Sequence, residues 1–181
     1  MSIITQVNKQ LCAPLDQCCL CVHHGFAAGA LASRYGMHRI KIDDKGNKVK
    51  RLHAGVDLFA PVGTPCKAMF GGKVMSVHRH KGYGNTILIE AKLPDLTVYI
   101  FYAHLSETYV RAGDHPYAGY IIGKTGVDGV PEKDQKMSQP HLHLEVWKTK
   151  NKSIAFATGC DNRAKCRIDP MNILKYAGVT S

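Results

Sequence analysis

Acidic residues are scarce in this 181-residue chain: 14 Asp and Glu stand against 24 Lys and Arg, a formal charge of +10 at neutral pH. That balance points to an acidic polymer as partner. The basic residues are scattered, and no recognisable nucleic-acid motif accompanies them, so nucleic acid is not the expected polymer. No run approaches the ~18 consecutive apolar residues of a membrane helix. The first nine residues also lack the apolar stretch of roughly 7–15 residues that marks a secretory leader. Internal repeats, heptads and low-complexity tracts are missing too, which excludes solenoids and coiled coils. The remaining length suits one hydrophobic core with appendages.

Short apolar-alternating stretches at 74–77, 86–90, 97–102 and 120–122 predict strands, each bounded by Gly, Pro, Asn or Asp. Leu93-Pro94-Asp95 predicts a turn, with proline setting φ for the bend. Helix is expected only near the ends, at 27–34 and 170–176. The second of these opens with Asp169 as N-cap and Pro170 at the first helical position.

Two motifs carry the chemistry. In His53-Ala54-Gly55-Val56-Asp57 the His and Asp are four apart; in Pro140-His141-Leu142-His143 the two histidines are two apart. On extended strands, side chains alternate faces with period two, so each pair shares a face. Bringing the strands together gathers imidazoles and one carboxylate, the donors Zn²⁺ accepts, and a catalytic zinc uses three such ligands plus water. A second His-x-His, His78-Arg79-His80, has a basic flank that opposes gathering a dication, and its plainer reading is a solvated strand end.

Around these motifs the chain resembles the M23 peptidases, the lysostaphin-like or LytM-type zinc endopeptidases of peptidoglycan. The resemblance runs from about Ser33 to Lys148. Ser33-Arg-Tyr-Gly-Met-His-Arg39 is similar to the family's S-x-F-G-x-R, and His53 to Pro65 follows H-x-G-x-D-x-x-x-P-x-G-T-P. Gly82-Tyr-Gly-Asn85, Tyr102-Ala-His104-Leu-Ser106 and Pro140-His-Leu-His-Leu-Glu145 follow in order. The resemblance implies a mainly β fold, an antiparallel sheet or sandwich-like groove of the LytM (duplicated hybrid motif) type with short terminal helices. It implies that residues 33–150 form the peptidase domain, between a cysteine-containing extension (1–32) and a C-terminal extension (151–181).

It further implies Zn²⁺ as cofactor, with His53, Asp57 and His143 as ligands and His104 and His141 as catalytic histidines. One of these would act as base while the other, protonated, would hold the oxyanion; the sequence leaves open which does which. Glu145, two past His143, lies on the site face and is read equally as a supporting group or a salt-bridged strand carboxylate. Tyr102 shares the parity of His104 and is a substrate-groove candidate, although core packing is its plainer reading. Gln139 is another candidate, standing where the family usually has Gly, after a loop (127–139) longer and more polar than usual. The implied partner is peptidoglycan and the implied reaction hydrolysis of its peptide cross-links, with D,D-endopeptidase activity favoured. The alternatives are a non-catalytic wall-binding or regulatory LytM-like module, and a phage-type muralytic enzyme cutting a different bond. Action in the periplasm or cell wall by a non-Sec route, as an injected antibacterial effector with an immunity protein and a delivery apparatus, is the further expectation.

Seven cysteines complete the reading. Cys160 and Cys166 flank a short polar loop and are a disulfide candidate. Disulfides from Cys12 or the Cys18-Cys19-Leu20-Cys21 cluster are favoured over a soft-metal site with His23 and His24, given an extracytoplasmic site of action. Cys66, inside a strand, is expected to be a buried small hydrophobe.

Overall fold

The structure, a computed structural model, describes residues 11–21, 23–24, 27–28, 30–130, 139–148, 166–177 and 179. Its strands are β1 (His23–His24), β2 (Ala27–Ala28), β3 (Gly36–Ile42), β4 (Lys48–His53), β5 (Val56–Phe59) and β6 (Pro65–Lys67). There follow β7 (Lys73–His80), β8 (Gly84–Lys92), β9 (Thr97–Thr108), β10 (Ile121–Thr125), β11 (His141–Trp147) and β12 (Arg167–Ile168). β1–β2 and β3–β4 are hairpins; the other eight strands form one antiparallel sheet. β9 lies between β8 and β11, and its far end pairs with β10. The outer edge of β11 is shared by β5 and β12.

The strands outrun the apolar alternation that marks them in the sequence. β7 continues through exposed His78 and Arg79 because its ladder with β8 persists there. The Leu93 turn is present, closed by backbone hydrogen bonds in both directions between Leu93 and Leu96. At the C-terminal end, α1 (Met171–Leu174) follows Pro170, and the Asp169 carboxylate accepts from the Met171 N–H at 2.9 Å. Near the N-terminal end, the helix expected over 27–34 is a single 3₁₀ turn, Ala30–Ser33.

The sheet separates packing from chemistry by parity. Val98, Ile100 and Tyr102 of β9 join Leu142, Leu144 and Val146 of β11 in the main core. Tyr99, Phe101 and Ala103 point to the opposite face and pack with Trp147 and Leu88. On β11 that opposite face also carries His141, His143 and Glu145.

Tyr102 therefore does not line a groove. It is fully buried in the main core, and its hydroxyl accepts a 2.8 Å hydrogen bond from the Met69 N–H. The parity argument fails because β9 is bulged: Ile87 and Asn85 of β8 face Tyr102 and Leu105, two steps against three. His104 sits in the bulge with φ +62°. Replacing Tyr102 by Phe removes the acceptor and strands a buried N–H, which costs about 1–3 kcal/mol. Denaturant unfolding is expected to show that loss while kcat/KM on a wall substrate stays within about twofold; a large fall in kcat/KM would return Tyr102 to the groove.

The expected disulfides from the N-terminal cysteines are not made: Cys12, Cys18, Cys19, Cys21 and Cys66 are free thiols. Residues 19–21 lie along β5 through a single bridge, Leu20 facing Leu58, with Phe59 N–H donating to Cys19 C=O and Cys21 N–H to Asp57 C=O. An extended chain spreads its thiols by about 3.3 Å per residue instead of curling them round an ion. Accordingly, among the described residues these thiols gather no third metal ligand. Cys66 is buried as expected, and burial pushes its thiol and that of Cys21 well above the ordinary range. The proposed Cys160–Cys166 pairing lies outside the described residues, because Cys160 does.

Candidate active site

Asp57 and His143 are directly opposed across the β5–β11 ladder. Gly55 permits this register: a Cβ there would lie 2.2 Å from the Leu144 carbonyl oxygen, so any larger residue would push β5 off β11. His53, at the end of β4, folds over the same point. His53 Nε2 is 3.2 Å from His143 Nδ1 and 3.2 Å from Asp57 Oδ2, and His143 Nδ1 is 2.6 Å from Asp57 Oδ1. All three residues are buried.

Backbone and carboxylate oxygens fix the ring tautomers, since these atoms only accept. His53 Nδ1–H donates to the Arg34 carbonyl at 2.9 Å, His141 Nδ1–H to Gln139 at 2.7 Å, and His104 Nδ1–H to Asp128 at 2.8 Å. Each of these rings thereby presents Nε2 as its acceptor nitrogen. His143 is held the other way round, its Nε2–H donating to Glu145 Oε1 at 3.1 Å, so that Nδ1 faces Asp57. Outer partners of this kind commonly orient metal-binding imidazoles.

The charges follow from the same contacts. Burial alone would raise the pKa of Asp57, but His53, His141, Arg39 and His143 outweigh it and hold the carboxyl well below its ordinary value. Burial would lower His143, yet Asp57 and Glu145 carry it up to about 9, as suits an imidazolium donating from both nitrogens. His104 is driven down to about 3 by burial, with His141 and His143 adding to the fall. His141 is lowered as well, burial outweighing the pull of Asp57. A resting His104 is therefore neutral, in contrast to the protonated oxyanion-holding form that one reading of the sequence allowed.

His104 and His141 stand edge to face with ring centroids 4.9 Å apart, beside the three-residue cluster, and His141 Nε2 is 3.8 Å from Asp57 Oδ1. The left-handed backbone at His104 is uncommon for a residue with a Cβ, and is supported from both sides. Its N–H donates to the Tyr83 carbonyl and its ring is tied to Asp128, a loop residue brought close because Gly84 has no Cβ. Gln139 is half-buried, with its carbonyl committed to His141. His78 and His80 are outside the ligand cluster; His80, with Arg79 and Lys81, lines an open cleft of about 710 Å³ that also borders Ser106 and Asp128.

Several site residues were not singled out by the sequence. Arg39 donates to Asp57 Oδ2; its presence in the Ser33–Arg39 motif was the available signal. The carbonyls of Arg34 and Asp128 carry no side-chain identity for a motif to display. Trp147 reaches Glu145 along β11, two residues on and on the same face, whereas Arg167 reaches it through the β11–β12 pairing, which no sequence spacing announced.

The donor set fits Zn²⁺: two imidazole nitrogens and a carboxylate oxygen lie within 4.8 Å of one another with outer partners satisfied. Zinc–ligand distances of about 2.0–2.1 Å at tetrahedral angles place ligand atoms about 3.3 Å apart, close to two of the three separations here.

Compared with known sequences, residues 51–155 match Peptidase family M23. The chain belongs to that family. Among M23 relatives, lysostaphin from Staphylococcus simulans is 40% identical over 96 residues, covering 52% of this chain and 18% of lysostaphin. The DD-carboxypeptidase/endopeptidase Mpg of Neisseria meningitidis is 37% identical over 96 residues, covering 53% of this chain and 20% of Mpg. The chain thus spans about a fifth of the length of these curated relatives. In structure it superimposes on the lysostaphin catalytic domain with TM-score 0.57 and 30% identity, covering 78% of this chain and 89% of that domain. A zinc-containing peptidase from Vibrio cholerae gives TM-score 0.55 at 27% identity, covering 76% and 36%. The mainly β, antiparallel fold of the lysostaphin and LytM type is thereby established. Among the described residues no helix is long and apolar enough to cross a membrane.

Proposed function

We propose that this M23 chain is a zinc-dependent endopeptidase that hydrolyses peptide cross-links of peptidoglycan, with the D,D cross-link as its favoured bond. The observation that carries the reading is the tautomer pattern. His53, Asp57 and His143 converge as a set that could hold a metal ion, while His104 and His141 stand beside that set with acceptor nitrogens. Zn²⁺ at this site supplies a Lewis acid and draws the pKa of water in its open position from about 15.7 towards about 7.

In this proposal His141, neutral and beside the cluster with its Nε2 3.8 Å from Asp57 Oδ1, takes the proton of the attacking water. His104, edge-on to it, shares that proton. The pair, now carrying one positive charge, donates to the developing oxyanion and then returns the proton to the leaving amine. Gln139 fixes the His141 ring and forms part of the groove wall. Lys81 lines the adjacent cleft, where Arg79 is paired with Asp128. The net charge of +10 suits the carboxylates of a diaminopimelate-containing stem better than an uncharged glycine bridge.

Parallel digestion of purified Gram-negative peptidoglycan and of a glycine-bridged staphylococcal wall, followed by mass spectrometry of the products, tests the reading. Wild type is expected to convert cross-linked dimers to monomers, and both chelator treatment and His143→Ala to stop it. Cleavage of glycine bridges alone would move the bond, and zinc binding without cleavage of either wall would leave a wall-binding module. The antibacterial-effector role is part of the same proposal. Expression in a Gram-negative host with and without a periplasmic leader is expected to cause lysis only with the leader.

A further inference from the structure

We propose that Arg167, on the short C-terminal strand β12, is a positioning residue for the metal site, acting through Glu145 on His143. The inference rests on the ligand role proposed for His143, and concerns a residue outside the matched span 51–155.

Glu145 is fully buried, and four donors meet its two oxygens. Oε2 accepts from Arg167 Nε at 2.6 Å and from Trp147 Nε1 at 2.6 Å. Oε1 accepts from His143 Nε2 at 3.1 Å and, more weakly, from the Tyr83 hydroxyl at 3.4 Å. The two strong contacts on Oε2 fix the plane of the carboxylate, and that plane fixes the direction of Oε1. Oε1 in turn holds the His143 ring with Nδ1 towards Asp57 and His53. A buried carboxylate needs a countercharge; in the metal-free site His143 and Arg167 both supply one, and the Arg167 guanidinium, 5% exposed, is the permanent charge that stays when His143 gives up its proton to a metal. The guanidinium is itself seated over the Trp147 ring, 5.2 Å from its centre.

Backbone pairing delivers Arg167 to this place. Trp147 faces Arg167 and Val146 faces Ile168 across the β11–β12 ladder, and Lys148 N–H donates to the Cys166 carbonyl. A segment well past the last expected ligand thus completes the support of His143. Removing such outer partners typically costs 10–100-fold in metal affinity.

The test is zinc affinity of the full chain, measured by competition with a chromophoric chelator at one pH, alongside thermal melting of the metal-free protein. Wild type, Arg167→Gln, Arg167→Lys and His143→Ala are compared. Arg167→Gln is expected to weaken zinc about 10–100-fold. Arg167→Lys, which keeps the charge but not the Nε geometry, is expected to fall between it and wild type. If Arg167→Gln does not fold, the lysine variant decides alone, with weakening of about 3–10-fold expected on the same grounds. Zinc affinity unchanged in every folded Arg167 variant, whatever the melting temperature does, would make Arg167 a structural salt bridge and overturn the inference. Loss of zinc in His143→Ala with no effect at Arg167 leaves the ligand reading standing and sinks only this one. Zinc affinity unchanged in His143→Ala sinks both.

Discussion

Replacing His141 with Ala is expected to lower kcat on a peptidoglycan substrate by about 10²–10⁴-fold, the range typical of a lost general base, while zinc remains bound. The separation of effects follows from the geometry. His141 Nε2 stands 3.8 Å from Asp57 Oδ1, beyond hydrogen-bond range, whereas the three donors of the cluster are 2.6–3.2 Å apart. Its other nitrogen is committed to the Gln139 carbonyl, so the substitution disturbs no ligand directly. His104→Ala is expected to behave similarly on kcat, with an added stability loss because the ring's hydrogen bond to the Asp128 carbonyl, which helps hold the left-handed backbone at φ +62°, is gone. Steady-state kinetics beside a zinc titration of each variant checks this. A His141→Ala enzyme that keeps its kcat, or that loses its zinc, would remove His141 from the role of base.

The second large effect is a pH dependence of zinc affinity. In the metal-free site His143 carries a proton on Nδ1, because Asp57 and Glu145 outweigh burial and raise its pKa to about 9. Zinc must displace that proton, since a ligating nitrogen needs its lone pair. His53 does not add a second proton near neutral pH, because burial shifts it downward, and Asp57 is ionised well below that range. Affinity is therefore expected to rise about tenfold per pH unit from pH 7 to about 9 and then flatten, a gain of roughly a hundredfold. Competition with a chelator of known proton affinity reads the slope directly. A flat profile, or a slope of two protons, would contradict the assignment.

Stability of the metal-free fold runs the opposite way. The folded pKa of His143 is raised above its unfolded value, so its contribution is complete below about pH 6.5 and is lost as pH rises through about 9. Glu145, held down to about 2 because His143 and Arg167 outweigh its burial, contributes above its unfolded value and loses that contribution only under strong acid. Zinc should accordingly raise the melting temperature most at the alkaline end of the range.

How much of this could be read before folding depends on how local the determinant is. The meeting of Asp57 with His143, and the shared face of His141 and His143, was legible because strand parity is a short-range rule that holds in β5 and β11; His53 arrives from β4, across the break at 54–55, so parity along a single strand does not account for its place in the cluster. The same rule failed at Tyr102, since one inserted residue in β9 reverses every parity beyond it and nothing in Tyr-Ala-His-Leu-Ser marks the insertion. The N-terminal cysteines stay unlinked where disulfides are expected, and their bridge to β5 is a long-range event that no local spacing displays. Arg167 was out of reach for the same reason: its partner is 22 residues away in sequence, across a ladder only two residues long.

The alternation along β11 writes two messages into seven letters. Leu142, Leu144 and Val146 answer only to the interior, and drift among them towards other aliphatic residues would register as changed thermal tolerance with the reaction intact. His141, His143, Glu145 and Trp147, one step out of phase, answer to the opposite face, and drift there would register as altered turnover or metal retention in a protein that still folds. Random mutagenesis of this one strand should therefore sort its survivors into two classes by odd and even position, the even sites tolerating aliphatic exchange and the odd sites tolerating almost none without loss of turnover or metal.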